Sequence, residues 1–166
     1  SIISNGMKLA KSLYVSGELI KILVVDDDKL IRWSLKEIFS QEGYLVDAVA
    51  TAKDALKQAK NITYELIFSD LEISDESGIE MLRKARTFQP DAKIIILSAL
   101  TKPQIEPKLG NLSIFSIIEK PFKSEQIRAL VKNALVSTNH ENESGNQTEK
   151  NKRVKANEFL IENKNK

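Results

Sequence analysis

The chain of 166 residues contains no cysteine, which excludes disulfides, thiol catalysis and thiolate zinc sites and is compatible with a reducing cytoplasm. It contains one histidine, His140, in a polar stretch with nothing rigid to hold it, so imidazole catalysis and histidine-based metal binding are poor readings. No apolar run approaches the roughly 20 residues of a membrane span. The first seventeen residues are interrupted by Lys8 and Lys11 and lack the apolar core of a signal peptide. Met7 is a candidate start, with residues 1–6 then an artificial addition; the sequence leaves this open. A basic excess over the main stretch of the chain is absent as well. Between Lys21 and Val136 there are 17 basic and 17 acidic side chains, so direct nucleic-acid binding is not expected.

What is present is acid at the ends of apolar runs. The stretch Tyr64–Asp70 reads as a strand whose apolar run Leu66-Ile-Phe68 leads into Ser69-Asp70 and a polar loop, and Ile22-Leu-Val-Val25 leads into Asp26-Asp-Asp28. Continuous apolar runs of this length suit strands buried on both faces of a parallel sheet. In open α/β sheets the chemistry lies beyond the carboxyl ends of such strands. Two neighbouring strands would therefore bring four carboxylates toward one spot. Two carboxylates about 4 Å apart repel by roughly 4 kcal/mol at an effective dielectric near 20, so the cluster requires a cation or shared protons. An all-oxygen donor set suits a hard ion, Mg²⁺ best, and a carboxylate beside Mg²⁺ can accept a phosphoryl group.

The remaining chain alternates helices and strands. Ile31, Leu35, Ile38 and Phe39 form a helical stripe that ends at Gly43, with Trp33 off the stripe as a partly exposed packing residue. Residues 44–49 alternate and suit an edge strand. Thr51 caps a helix carrying Ala52, Ala55, Leu56 and Ala59. Met81, Leu82, Ala85 and Phe88 mark a third helix closed by Pro90, and residues 93–98 form a fourth strand. Pro107 predicts a short or distorted helix over 101–110. Residues 114–118 read as a fifth strand, followed by Lys120-Pro-Phe122 and a last helix with Ser124 as N-cap and Ile127, Leu130, Val131, Ala134 and Leu135 as its stripe. This alternation predicts an α/β, doubly wound, parallel sheet of five strands with helices on both faces. Residues 1–19 read as an extension, 20–137 as the folded domain and 138–166 as a polar, disordered tail in which Val154–Ile161 holds all of the few apolar side chains.

Val24-Val-Asp-Asp-Asp28, Ser69-Asp70 with Gly78 eight residues on, Ser98 ending the fourth strand, and Lys120-Pro-Phe122 together resemble a response-regulator receiver domain, similar to receivers of the NtrC kind. The resemblance covers roughly residues 20 to 136. It implies the flavodoxin-like strand order 2-1-3-4-5 and a Mg²⁺-dependent phosphoacceptor in two-component phosphorelay signalling. On that resemblance Asp70 takes the phosphoryl group from a sensor histidine kinase or phosphotransfer protein, and Lys120 and Ser98 contact its oxygens. Asp27, Asp70 and the backbone carbonyl of Glu72 ligate Mg²⁺, and Asp26 acts through a water. The Lys120–Pro121 bond is cis. Such a domain is a cytoplasmic signalling switch for a downstream protein, and not an enzyme; a homodimer is left open. Departures from the family pattern are an acid at Glu72, Ser74 in place of a frequent proline, and Ile117 at a position often aromatic. A docking domain that works without phosphate, and an aspartyl-nucleophile phosphatase, are the competing readings.

Overall fold

The computed structural model describes residues 14–15 and 18–136. Five strands make the central sheet: β1 (Lys21–Val25), β2 (Leu45–Val49), β3 (Leu66–Asp70), β4 (Lys93–Ser98) and β5 (Ser116–Glu119). Their order is β2-β1-β3-β4-β5 and every pairing is parallel, the doubly wound arrangement expected. Helices follow the strands: α1 (Lys29–Gln41), α2 (Ala52–Asn61), α3 (Gly78–Phe88), α4 (Lys102–Leu109) and α5 over residues 124–136. The chain divides into two units, Ser1–Arg128 and Ala129–Lys166; of the second, residues 129–136 are described and are helical. The expectations for residues 1–13 and for the tail from 137 on, with His140 and Val154–Ile161, lie outside the described residues. Tyr14–Val15 pairs antiparallel with Glu18–Leu19 ahead of β1, a small ribbon that the sequence did not announce.

The apolar patterning explains the layers. β1, β3 and β4 are buried almost throughout, as strands covered on both faces must be. On one face Ala52, Ala55 and Ala59 of α2 and Met81, Leu82 and Ala85 of α3 meet Leu23, Ile67 and Ile94. On the other, α1 buries Leu35, Ile38 and Phe39, and the Phe39 and Phe68 rings lie 5.0 Å apart. β2 is an edge strand, partly exposed along its length, as its alternation indicated. Trp33 is 61% exposed, more open than a partly exposed packing residue.

Several boundaries differ from expectation for physical reasons. β3 begins at Leu66, because the Tyr64 N–H donates to Gln89 Oε1 at 3.0 Å instead of to a strand. β5 runs from Ser116 to Glu119, its start set by pairing with Ile95 of β4. Phe88 is 44% exposed at the last turn of α3, with the Lys60 ammonium 5.3 Å from its ring centre. Helix α4 is short, eight residues, and contains Pro107 as expected. Helix α5 already includes Ser124, so that residue lies inside the helix, and Gln126 and Ile127 donate to the Lys123 carbonyl.

Candidate functional site

The carboxyl ends of β1, β3 and β5 converge on one rim of the sheet. Asp26 leaves β1 fully buried and is held from four directions. Its N–H donates to the Val49 carbonyl at 3.1 Å, and its carbonyl accepts from the Arg32 guanidinium at 2.7 Å. Its Oδ1 accepts from the Asp28 N–H at 2.9 Å, and its Oδ2 from Lys120 Nζ at 2.9 Å. Asp70, the last residue of β3 and 8% exposed, accepts from the Glu72 N–H at 3.2 Å on Oδ1 and from Lys120 Nζ at 3.1 Å on Oδ2. Asp27 is exposed, and one oxygen from each of Asp26, Asp27 and Asp70 lies within 4.8 Å of the others.

Lys120 reaches this cluster from the end of β5. Its N–H donates to the Ser98 carbonyl at 2.8 Å, and the Lys120–Pro121 bond is cis as the resemblance implied. Burial pulls the ammonium pKa down, but the bonds to Asp26 and Asp70 more than offset it and hold the pKa above the ordinary lysine value. Ser98, 2% exposed, ends β4 one residue past Leu97, the partner of Asp70. Its hydroxyl accepts from the Leu100 N–H at 3.1 Å. Glu72 turns its side chain outward and contributes its N–H to Asp70.

The convergence therefore involves three carboxylates and not four. Asp28 is the N-cap of α1, its Oδ1 accepting from Leu30 N–H at 2.8 Å and Ile31 N–H at 3.4 Å. A carboxylate there satisfies orphan helix donors and complements the dipole, which accounts for the third acid of the run. Three carboxylates against one ammonium leave a formal charge of about −2 if all are ionised. Such an all-oxygen set on a water-accessible rim fits Mg²⁺, which binds through few carboxylates and keeps waters.

Three further contributors received no role from the sequence, Ser69 standing there only as the neighbour of Asp70. Ser69 is fully buried and donates to the Asp70 carbonyl at 2.9 Å. Arg32 fixes the Asp26 main chain, and Asp75 joins the loop after β3 to the start of α2. Only Gly78 signalled the crowding here. A Cβ on it would lie 2.3 Å from the Asp70 carbonyl oxygen, so no larger residue fits between β3 and α3.

A family model described as the response regulator receiver domain matches residues 22–132. The sporulation initiation phosphotransferase F of Bacillus subtilis is 35% identical over 118 residues, covering 69% of this chain and 93% of that protein. Of several longer transcriptional regulators that it also matches, the chain spans about a quarter to about half the length. A CheY-like receiver domain from Methanospirillum hungatei superposes with a TM-score of 0.71 at 31% identity, covering 75% of this chain and 99% of that one. The response regulator TrrA of Thermotoga maritima, solved in complex with Mg²⁺ and BeF, gives 0.63 at 33% identity, covering 70% and 99%. With that match over most of the folded region, and with the acids and lysine gathered at the strand ends, the chain belongs to the response regulator receiver domains, the signalling domains of two-component systems.

Proposed function

We propose that Asp70 accepts a phosphoryl group from the phosphohistidine of a sensor kinase or phosphotransfer protein, and that the phosphorylated domain switches a protein–protein interaction in the cytoplasm. The folded receiver spans 20–137, with 1–19 and 138–166 as extensions. The observation that carries this reading is the Lys120 ammonium bridging Asp26 and Asp70, with Asp27 beside them. In the transfer an Asp70 oxygen bonds to phosphorus while the donor's phosphorus–nitrogen bond breaks, its electron pair leaving with the imidazole. The protein's part is positioning and charge. The Glu72 N–H on Oδ1 orients the carboxylate, Lys120 follows the phosphoryl oxygens, and the Ser98 hydroxyl donates a hydrogen bond to one of them. Mg²⁺ held by Asp26, Asp27, Asp70 and the Glu72 carbonyl would offset the charge of the acids and the incoming phosphoryl oxygens.

Incubation with acetyl phosphate and Mg²⁺ should raise the intact mass by about 80 Da, one phosphoryl group on one carboxylate. Asp70→Asn should gain nothing, and a chelator should abolish the gain in the wild-type chain. A mass increase that survives either change would overturn the assignment and favour another acceptor.

A further inference from the structure

The loop of residues 71–77 carries Glu72, whose carbonyl belongs to the proposed metal site, so any role for this loop in binding the ion rests on that reading. The loop contains neither proline nor glycine, and its backbone brings little restraint of its own. Leu71 and Ile73 are buried, and a single antiparallel bridge joins Glu72 to Ser77. Glu76 pairs with Lys84 at the surface, a contact of the kind that contributes little.

The loop is also tied by the Glu72 N–H on Asp70 and by the Gly78 N–H on the Leu71 carbonyl, and exposed Asp75 adds a directional tie to a different element. One oxygen of Asp75 accepts from the Ala52 N–H at 2.9 Å, and the other from the Lys53 N–H at 3.1 Å. These are the first two N–H groups of α2, which have no intrahelical partner and face a carboxylate favourably. Thr51, the N-cap of the same helix, serves a different donor, the Asp54 N–H at 3.1 Å. The division of labour is informative: α2 is capped from its own chain, while Asp75 adds a two-point clamp from a loop 22 residues further on. Two bonds to one carboxylate fix orientation as well as distance.

We propose that Asp75 is a positioning residue for the metal site, its clamp on α2 presetting the loop so that the Glu72 carbonyl is in place before the ion arrives. Loss of groups that hold metal ligands commonly weakens affinity ten- to a hundredfold. Asp75 acts three residues along a loop with other anchors, so about tenfold is the expected loss.

Mg²⁺ is titrated by calorimetry into the full unphosphorylated chain, its Asp75→Ala variant and its Thr51→Ala variant. Both substitutions weaken the start of α2 and should lower the melting temperature, but Asp75→Ala alone should weaken Mg²⁺ binding, by about tenfold. Asp75→Asn, which keeps one acceptor oxygen, should fall between. The acetyl phosphate reaction should then need about tenfold more Mg²⁺ for half its rate, with the rate at saturating Mg²⁺ little changed. Equal Mg²⁺ affinity in Asp75→Ala and wild type, or equal losses in Asp75→Ala and Thr51→Ala, would overturn the positioning role and leave the phosphoacceptor reading intact. A wild-type chain that binds no Mg²⁺ would overturn both.

Discussion

Replacing Gly78 by alanine should damage the fold and the acid cluster together. Gly78 opens α3, and its N–H donates to the Leu71 carbonyl at 2.9 Å. An added Cβ would lie 2.3 Å from the Asp70 carbonyl oxygen, 2.7 Å from Leu71 Cα and 2.8 Å from the Leu71 carbonyl oxygen. Ordinary carbon contacts are near 3.5 Å, so something must move by roughly 1 Å. All three obstacles are main-chain atoms, and β3 is paired on both sides, so the strand cannot yield. The movement falls on the 71–77 loop or on α3. Overpacking of this kind costs about 1–3 kcal/mol. The helix preference of alanine returns at most about 1 kcal/mol, and less at a first helical position. A net loss of about 2 kcal/mol should lower the melting midpoint by roughly 6–10 °C in a domain of this size. Because the displaced atoms adjoin Asp70, the rate of phosphorylation by acetyl phosphate should also fall, by about tenfold or more for a misplacement near 1 Å. Ser77→Ala is the control, since Ser77 is exposed and its side chain makes no capping bond; its effect should stay within about 0.5 kcal/mol. Calorimetry and intact-mass kinetics on both variants decide the matter. A Gly78→Ala protein that melts within about 1 °C of wild type and gains phosphate at the same rate would refute the crowding argument.

Asp27→Asn, in the absence of divalent ions, should stabilise the fold by about 1 kcal/mol at neutral pH, since it relieves repulsion at an exposed member of the acid cluster. Chemical denaturation with added Mg²⁺ should narrow or reverse the gain, and a gain that persists at saturating Mg²⁺ would sink the explanation. Tyr64→Phe should cost about 1–2 kcal/mol by removing the phenol bond to Asp47, 2.5 Å long. Burial, and then the Asp47 carboxylate, hold the Tyr64 phenol above its ordinary pKa of 10.0. A raised pKa contributes stability that is complete below about pH 10 and declines as pH rises further. Stability curves should therefore fall less steeply above about pH 10 in Tyr64→Phe than in wild type, with the part due to Lys120 remaining above its ordinary 10.5. Parallel alkaline limbs in the two proteins would contradict this.

Elements with strong local signals were readable from the amino-acid sequence. The apolar run inside Lys93–Ser98 fixes a central strand to the residue, and Thr51 with the alanine stripe fixes the start and buried face of α2. Elsewhere the deciding contact is remote. Tyr64 reads as the start of a strand, but the side chain of Gln89, 4% exposed, takes its N–H and also donates to the carbonyls of Ala59 and Ile62. Periodicity puts Phe88 on the buried stripe, yet at the final turn of α3 its ring lies instead beneath Lys60. β5 is four residues long and only one of them is buried, too little pattern to locate its ends without its partner β4.

The same distinction divides the candidate site. Asp26 and Asp70 stand out because a buried acid at the carboxyl end of an apolar strand has few structural uses, and Lys120 and Ser98 stand out by the same strand-end position. Asp28 could not be separated from Asp26 and Asp27 by residue type, because a helix cap and a metal site both want a carboxylate; only the bonds to Leu30 and Ile31 separate them. Arg32 is the converse case. It sits on the helix that Asp28 caps and looks like surface charge, yet its guanidinium reaches back six residues to the Asp26 carbonyl. Asp75 is harder still, with its donors on a different helix more than twenty residues earlier. Sequence reading thus reaches the groups whose chemistry is set by their own strand or turn, and misses those that hold such groups in place. On the proposed phosphoacceptor reading, positioning supplies most of the work, and the second set should then influence rate and metal affinity as much as the first.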